Sequence, residues 1–241
     1  MAKDALTIAS DNPLAKLLQE TPDVEATTSV PYLAFFSKKA ESALDIQAEC
    51  PSLQEGEPYV KTASGAFEVV TAWGLVGPTF HYWCAMNHEY DVTEVVTSDP
   101  GRQSRMKEHI AAPVIAYTDS GVHMTMTTFR PTKCKAVGDV LAGIKRATDD
   151  AVAAKGPIGK QLVKLPQSLR VVGMTDVIQR VGQNGQYQLA RCRTRLLSDV
   201  EIQHLIDALA DDAFAGITER VTESYDARVK HLQSKIKDGS A

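Results

Sequence analysis

Residues 112–129 read APVIAYTDSGVHMTMTTF, and this stretch decides the strand-rich character of the chain. Two extended runs flank Thr118-Asp119-Ser120-Gly121, whose residue types favour a tight turn. In the second run Val122, Met124 and Met126 alternate with His123, Thr125 and Thr127. A period of two places each set on its own face of a strand. A β-hairpin is therefore expected.

The same reading extends in both directions. Upstream, VPYLAFF is aromatic and compact. EPYVKTASGAFEVVTAW holds a turn at Ala63-Ser64-Gly65 between two extended runs. TFHYWCAM (79–86) and YDVTEVVT (90–97) are rich in aromatic and β-branched residues, and Ser98-Asp99-Pro100-Gly101 follows as a turn. Downstream, residues 132–154 change to a helical period, with Val137, Val140, Leu141, Ile144 and Ala151 on one stripe, before the stop at Lys155-Gly156-Pro157. LRVVGMTDVIQRV and QYQLARCRTRLL, joined by Gly182-Gln183-Asn184-Gly185, read as a second hairpin.

The end of the chain is predicted to be helical. Ser198-Asp199-Val200-Glu201 has the form of a capping box. Apolar residues then recur every three or four positions from Ile202 to Ile236, and Gly216 is a candidate break between two helices. The expected organisation is an arm over 1–30, a strand-rich core with one helix over 31–197, and a helical region over 198–241. Within the arm, Asp11-Asn12-Pro13 can open a short helix. The fold class is α+β, a strand-rich barrel or sheet with a helical C-terminal tail, and an OB-like barrel is one member of that class.

The chain has 241 residues, 44% hydrophobic and 23% charged, enough for a sizeable core. Cys50, Cys84, Cys134 and Cys192 form no CxxC pair and read as free thiols. No leader-like segment and no apolar run near the ~20 residues of a membrane span is found, so a cytoplasmic protein without a membrane partner is expected.

The net charge of −4 conceals a segregation. Residues 1–100 carry 5 basic and 15 acidic side chains, residues 101–196 carry 16 and 6, and residues 197–241 carry 5 and 9. Either the basic stretch faces an anionic partner or it is neutralised inside the fold.

Arg191-Cys192-Arg193-Thr194-Arg195 sharpens that choice. On a strand the three guanidinium groups share a face, about 6–7 Å apart in sequence. Charges so close need anions, which phosphates or intramolecular carboxylates can supply. Arg102, Arg105 and Lys107, and then Arg130, Lys133 and Lys135, add basic clusters in predicted loops and strand ends. Backbone-tracking contacts of nucleic-acid binders often sit in such places.

Ten of the fifteen aromatic residues lie in the first 100 positions, the acidic part, so only folding can bring rings and cations together. Trp73, Trp83 and Phe129 are the rings first assigned to base stacking. The leading expectation is a non-enzymatic binder of single-stranded DNA with little sequence preference. It needs no cofactor or metal, and it forms a homo-oligomer through the C-terminal helix. The alternatives are a structural or assembly protein, such as a virion or shell component with charge-segregated subunit contacts, and an enzyme with a non-local site near His81, His88, His109 or His123.

Other motifs are weak. His81-x-x-Cys84-x-x-x-His88 resembles zinc spacing, but a strand would aim His81 and Cys84 at opposite faces. Asp119-Ser120-Gly121 matches the acid-protease string and is accounted for as a hairpin turn. Gly156-Pro157-Ile158-Gly159-Lys160 is too short for a phosphate loop and continues with Gln161.

Overall fold

Strand β7 (Lys107–Thr118) and strand β8 (Gly121–Phe129) make the expected hairpin, paired from Thr118↔Gly121 to Ile110↔Phe129. The structure is a computed structural model, and it describes residues 30–86, 92–96, 101, 106–153, 160, 164–183 and 185–238. The N-terminal helix read at Asp11, the Ser98-Asp99-Pro100 turn and the Lys155-Gly156-Pro157 stop lie outside the described residues.

Around this hairpin the chain lays strands β1 (Tyr32–Phe35), β2 (Pro58–Lys61), β3 (Phe67–Val69), β4 (Ala72–Leu75), β5 (Phe80–Met86), β6 (Val92–Val96), β9 (Val171–Gly182) and β10 (Gly185–Leu196). They form one strongly curled half-barrel sheet in the order β10-β9-β4-β7-β8-β1-β2-β3, with β5 also beside β7 and β6 beside β5. Helices α1 (Ala43–Glu49), α2 (Cys134–Ala153), α3 (Asp199–Leu209) and α4 (Asp212–Asp238) and a short 3-10 turn (Gln167–Leu169) accompany the sheet.

One edge of β7 serves two partners. β4 pairs with residues 114–117 and β5 with residues 107–111. Pro113 sits between them. A proline cannot donate to a ladder and is normally kept out of a central strand. Its carbonyl accepts from the Val76 amide at 3.1 Å on this edge. The N–H and C=O of a strand residue point the same way, so the missing donor falls where β4 ends and the chain turns toward β5.

Both faces of β7 are buried. On one, Ile110, Ala112, Val114 and Ala116 pack with Leu33, Trp73, Phe129 and, from α2, Val137 and Val140. On the other, Ile115 and Tyr117 meet Ile202 and Leu205 of α3, and Ala111 meets Tyr225 and Leu232 of α4. The stripe of α4 is thus buried on the chain's own sheet at Val221, Tyr225 and Leu232. The seam from which subunit contacts were expected is already covered at these positions.

The helix break also differs from expectation. Gly216 lies inside α4, and the chain breaks at Ala210–Asp211. The reason is local: the Asp211 carboxylate accepts the Ala213 amide at 2.9 Å and caps α4. At the start of α3 both halves of the Ser198/Glu201 capping box are present.

The curl of the sheet brings the Glu55–Gly56 loop against β9–β10. Gly56 has φ +87°, and a Cβ there would lie 2.9 Å from Val177 Cγ1 and 3.4 Å from Gln188 Cβ. Further along, the Ala190 amide donates to the Thr132 carbonyl at 3.2 Å. No helix among the described residues is long and apolar enough to cross a membrane.

The closing contact can be measured with a matched pair. Gly65 has φ +93° but nothing within 4 Å of a built Cβ. Gly65→Ala is expected to cost about 1–2 kcal/mol from backbone strain alone. Gly56→Ala adds overpacking of about 1–3 kcal/mol. Urea unfolding of both variants checks this, and equal losses would remove the contact from the account.

Candidate nucleic-acid interface

The three arginines of β10 share a face as the alternation requires, and each meets a carboxylate within the chain. Arg191 grips Asp139 of α2 through Nε–Oδ2 at 2.7 Å and Nη2–Oδ1 at 2.8 Å. Arg193 holds Asp176 of β9 at 2.8 and 3.1 Å, and Arg195 holds Glu201 of α3 at 2.6 and 2.7 Å.

Asp139 also accepts the Cys192 amide at 2.9 Å, so it blunts the free edge of β10. Hydrogen bonds from Arg191 hold its carboxyl below the usual range. The acids come from residues 139, 176 and 201, not from the acidic first hundred. The row is internally neutralised, and phosphate would have to displace a two-point partner at every arginine.

The stacking set also changes. Trp73 and Phe129 are fully buried, with ring centroids 5.2 Å apart, and the Trp73 indole donates to Thr175 at 2.8 Å. They are core residues with no ring face to offer a base. Trp83 is half-buried on β5, away from the cleft described next. Of the basic clusters, Arg102 and Arg105 lie outside the described residues. Lys107 and Lys135 are exposed on β7 and α2 and do not line that cleft.

Arg130 and Lys133 are the two predicted contacts that share a concavity. It is a cleft of about 690 Å³ between β1–β2 on one wall and the distal β9–β10 hairpin on the other. Tyr32, Phe35 and Tyr59 line it from the acidic part of the chain and Tyr187 lines it from β10. Lys39, Arg130 and Lys133 supply positive charge, and Glu55 is the one acid among the described residues of the lining.

Tyr32 is 38% exposed and Tyr187 41%. Lys133 Nζ stands 5.1 Å from the Phe35 ring centroid. Burial pushes the Lys133 pKa below its ordinary value, opposed by Glu55. A second, more polar cleft of about 570 Å³ lies on the other side of Glu55, with Gln179 and Gln188 common to both.

Tyr187, Tyr32 and Lys39 were not singled out by sequence reasoning. The signal for Tyr187 was a lone ring between two glutamines just after a hairpin turn. For the others, no local pattern distinguishes an exposed ring or amine from its neighbours.

The described histidines do not converge. His81 meets Glu108 at 3.1 Å, and His123 meets Glu68 at 3.1 Å. Ser120 and Thr118 also hydrogen-bond Glu68. The contacts of His123 to Ser120 and to Glu68 both use Nε2, whereas a serine–histidine–acid relay needs two different ring nitrogens.

His109 is buried 3.3 Å from Cys84 Sγ, and its Nε2 has no partner among the described residues. Burial lowers the His109 pKa and pushes the Cys84 thiol up to about 11, so the pair is neutral at physiological pH. Such a thiol is not an activated nucleophile. Among the described residues, no group of three or more His, Cys, Asp or Glu side chains could hold a metal ion. His88 lies outside them.

Comparison of the chain with protein-family models, with curated proteins and with solved structures returns no match.

The Arg195–Glu201 pair has a pH signature. Burial alone would raise the Glu201 pKa, but hydrogen bonds from Arg195 and Ser198 outweigh it and hold the value below its ordinary 4.5. A carboxyl depressed in the folded state contributes stability that is complete above the unfolded value and is lost as pH falls toward the folded one. Glu201→Gln is expected to cost about 1–2 kcal/mol at pH 7. It should also flatten the loss of stability below about pH 5. Urea midpoints at pH 7, 5, 4 and 3 test this, and an unchanged pH slope would show that the pair does not carry it.

Proposed function

We propose that the protein binds single-stranded DNA in the cleft between β1–β2 and the β9–β10 hairpin, without catalysis and with little sequence preference. One observation carries the reading: Tyr32, Phe35, Tyr59 and Lys39 from the acidic part of the chain and Arg130 and Lys133 from the basic part line the same concave surface. Proteins that hold single strands combine cations that track the backbone with rings on which bases stack. In a duplex both faces of each base are already covered, so recessed rings favour unpaired strands.

The phosphate contacts are Lys39, Arg130 and Lys133. The β10 arginines are structural in this reading, because Asp139, Asp176 and Glu201 occupy them. Those same pairs weaken the assembly alternative, since the row has little charge left for a neighbouring subunit.

Fluorescence polarisation with labelled dT20 and a 20-base-pair duplex, from 50 to 200 mM salt, tests the proposal. Three phosphate contacts imply a log–log salt slope of about −2 on single strands, or about twentyfold weaker binding over that range. Lys39→Ala and Arg130→Ala should each weaken binding to all sequences alike and reduce the slope by about 0.7. Arg193→Ala should leave it unchanged. Absence of dT20 binding at 50 mM salt would end the proposal.

A further inference from the structure

Tyr187 has an unusual position. It lies in the distal, solvent-facing part of a two-stranded hairpin, between Gln186 and Gln188, where there is little apolar surface to pack against. Its ring nevertheless has a defined seat. A Cβ built on Gly182 would lie 3.1 Å from Tyr187 Cε1 and 3.4 Å from Cδ1, so the ring rests where any larger residue would crowd it. The seat is on the partner strand, diagonal to Tyr187 in a register that pairs Tyr187 with Arg180. Close cross-strand contacts of this kind order an aromatic side chain. Tyr187 as a whole is 41% exposed and belongs to the lining of the cleft whose other wall carries Tyr32.

A ring held in place on one side and open on the other has already given up rotamer freedom that binding would otherwise cost. We infer that Tyr187, seated on Gly182, is the base-stacking residue of the cleft, and that it makes the protein read unpaired nucleobases and not merely a chain of phosphates. The inference rests on the reading of the cleft as a single-strand site and adds its ligand feature, the exposed face of a base. Tyr32 on the opposite wall offers a second ring, whereas Lys39 and Arg130 serve the backbone.

The experiment compares dT20 with an abasic deoxyribose-phosphate 20-mer of equal charge, using the full chain. Wild type should prefer dT20. Tyr187→Ala should weaken dT20 binding about tenfold, in line with ~1–3 kcal/mol per stacked base. It should leave abasic binding and the salt slope unchanged. Tyr187→Phe should keep the preference, and Gly182→Ala should lose part of it by displacing the ring. As a readout independent of hairpin stability, the emission of the Tyr187→Trp variant should be quenched by dT20 and not by the abasic chain.

If wild type binds neither oligomer, the single-strand reading fails and takes this inference with it. If wild type binds dT20 and Tyr187→Ala binds it equally well, or the Tyr187→Trp emission does not respond, this inference alone is overturned.

Discussion

The central strand β7 must be covered on both faces and along both edges, and the architecture follows from meeting that requirement. Its twelve residues run from an exposed Lys107 into a stretch in which every residue from His109 onward is buried. One face is filled by the apolar side chains of the curled sheet and by α2, the other by α3 and α4. Along its edges β8 supplies a continuous ladder, while β4 and β5 divide the opposite side at Pro113. The break gives the proline a place where no donor is needed. It also sends the chain out toward β5 and β6, which help hold α4.

Curling the sheet around that core has a second consequence. The β9–β10 hairpin comes close to the Glu55–Gly56 loop, and β10 meets the turn after β8 through Ala190 and Thr132. The walls do not merge into a closed barrel in the distal half of the hairpin, and the cleft lies there. Polar residues of β10 and the rings of β1 and β2 therefore face a shared space, although long stretches of chain separate them.

The segregated charges resolve in two ways. Along β10 they are consumed by α2, β9 and α3, so the arginine row ties three elements together and leaves little free potential. In the cleft, Lys39, Arg130, Lys133 and Glu55 share a lining with the rings of Tyr32, Phe35 and Tyr59. Elsewhere the buried titratable groups are neutral: burial raises the thiols of Cys84, Cys134 and Cys192 to between about 11 and 12 and lowers the pKa of His109. That pattern suits a core more than a reaction centre.

Local chemistry was legible in the sequence alone. The alternation of Val122, Met124 and Met126, the turn at Thr118–Gly121 and the Ser198/Glu201 box depend on backbone sterics and on partners a few residues away, so their spacing reveals them. The common face of Arg191, Arg193 and Arg195 follows from strand geometry in the same way. Helix α1 escaped notice because seven residues are too few to show a period, and the break at Asp211 was misplaced because a capping carboxylate competed with a more conspicuous glycine. What only tertiary structure decided is which groups are covered and by whom. Asp139 finds Arg191 across 52 residues, Trp73 and Phe129 vanish into the core, and Tyr187 stays open over Gly182. Burial and charge neutralisation are set by the pairing of distant strands, and the same residue type can end as core, staple or exposed side chain according to where that pairing leaves it.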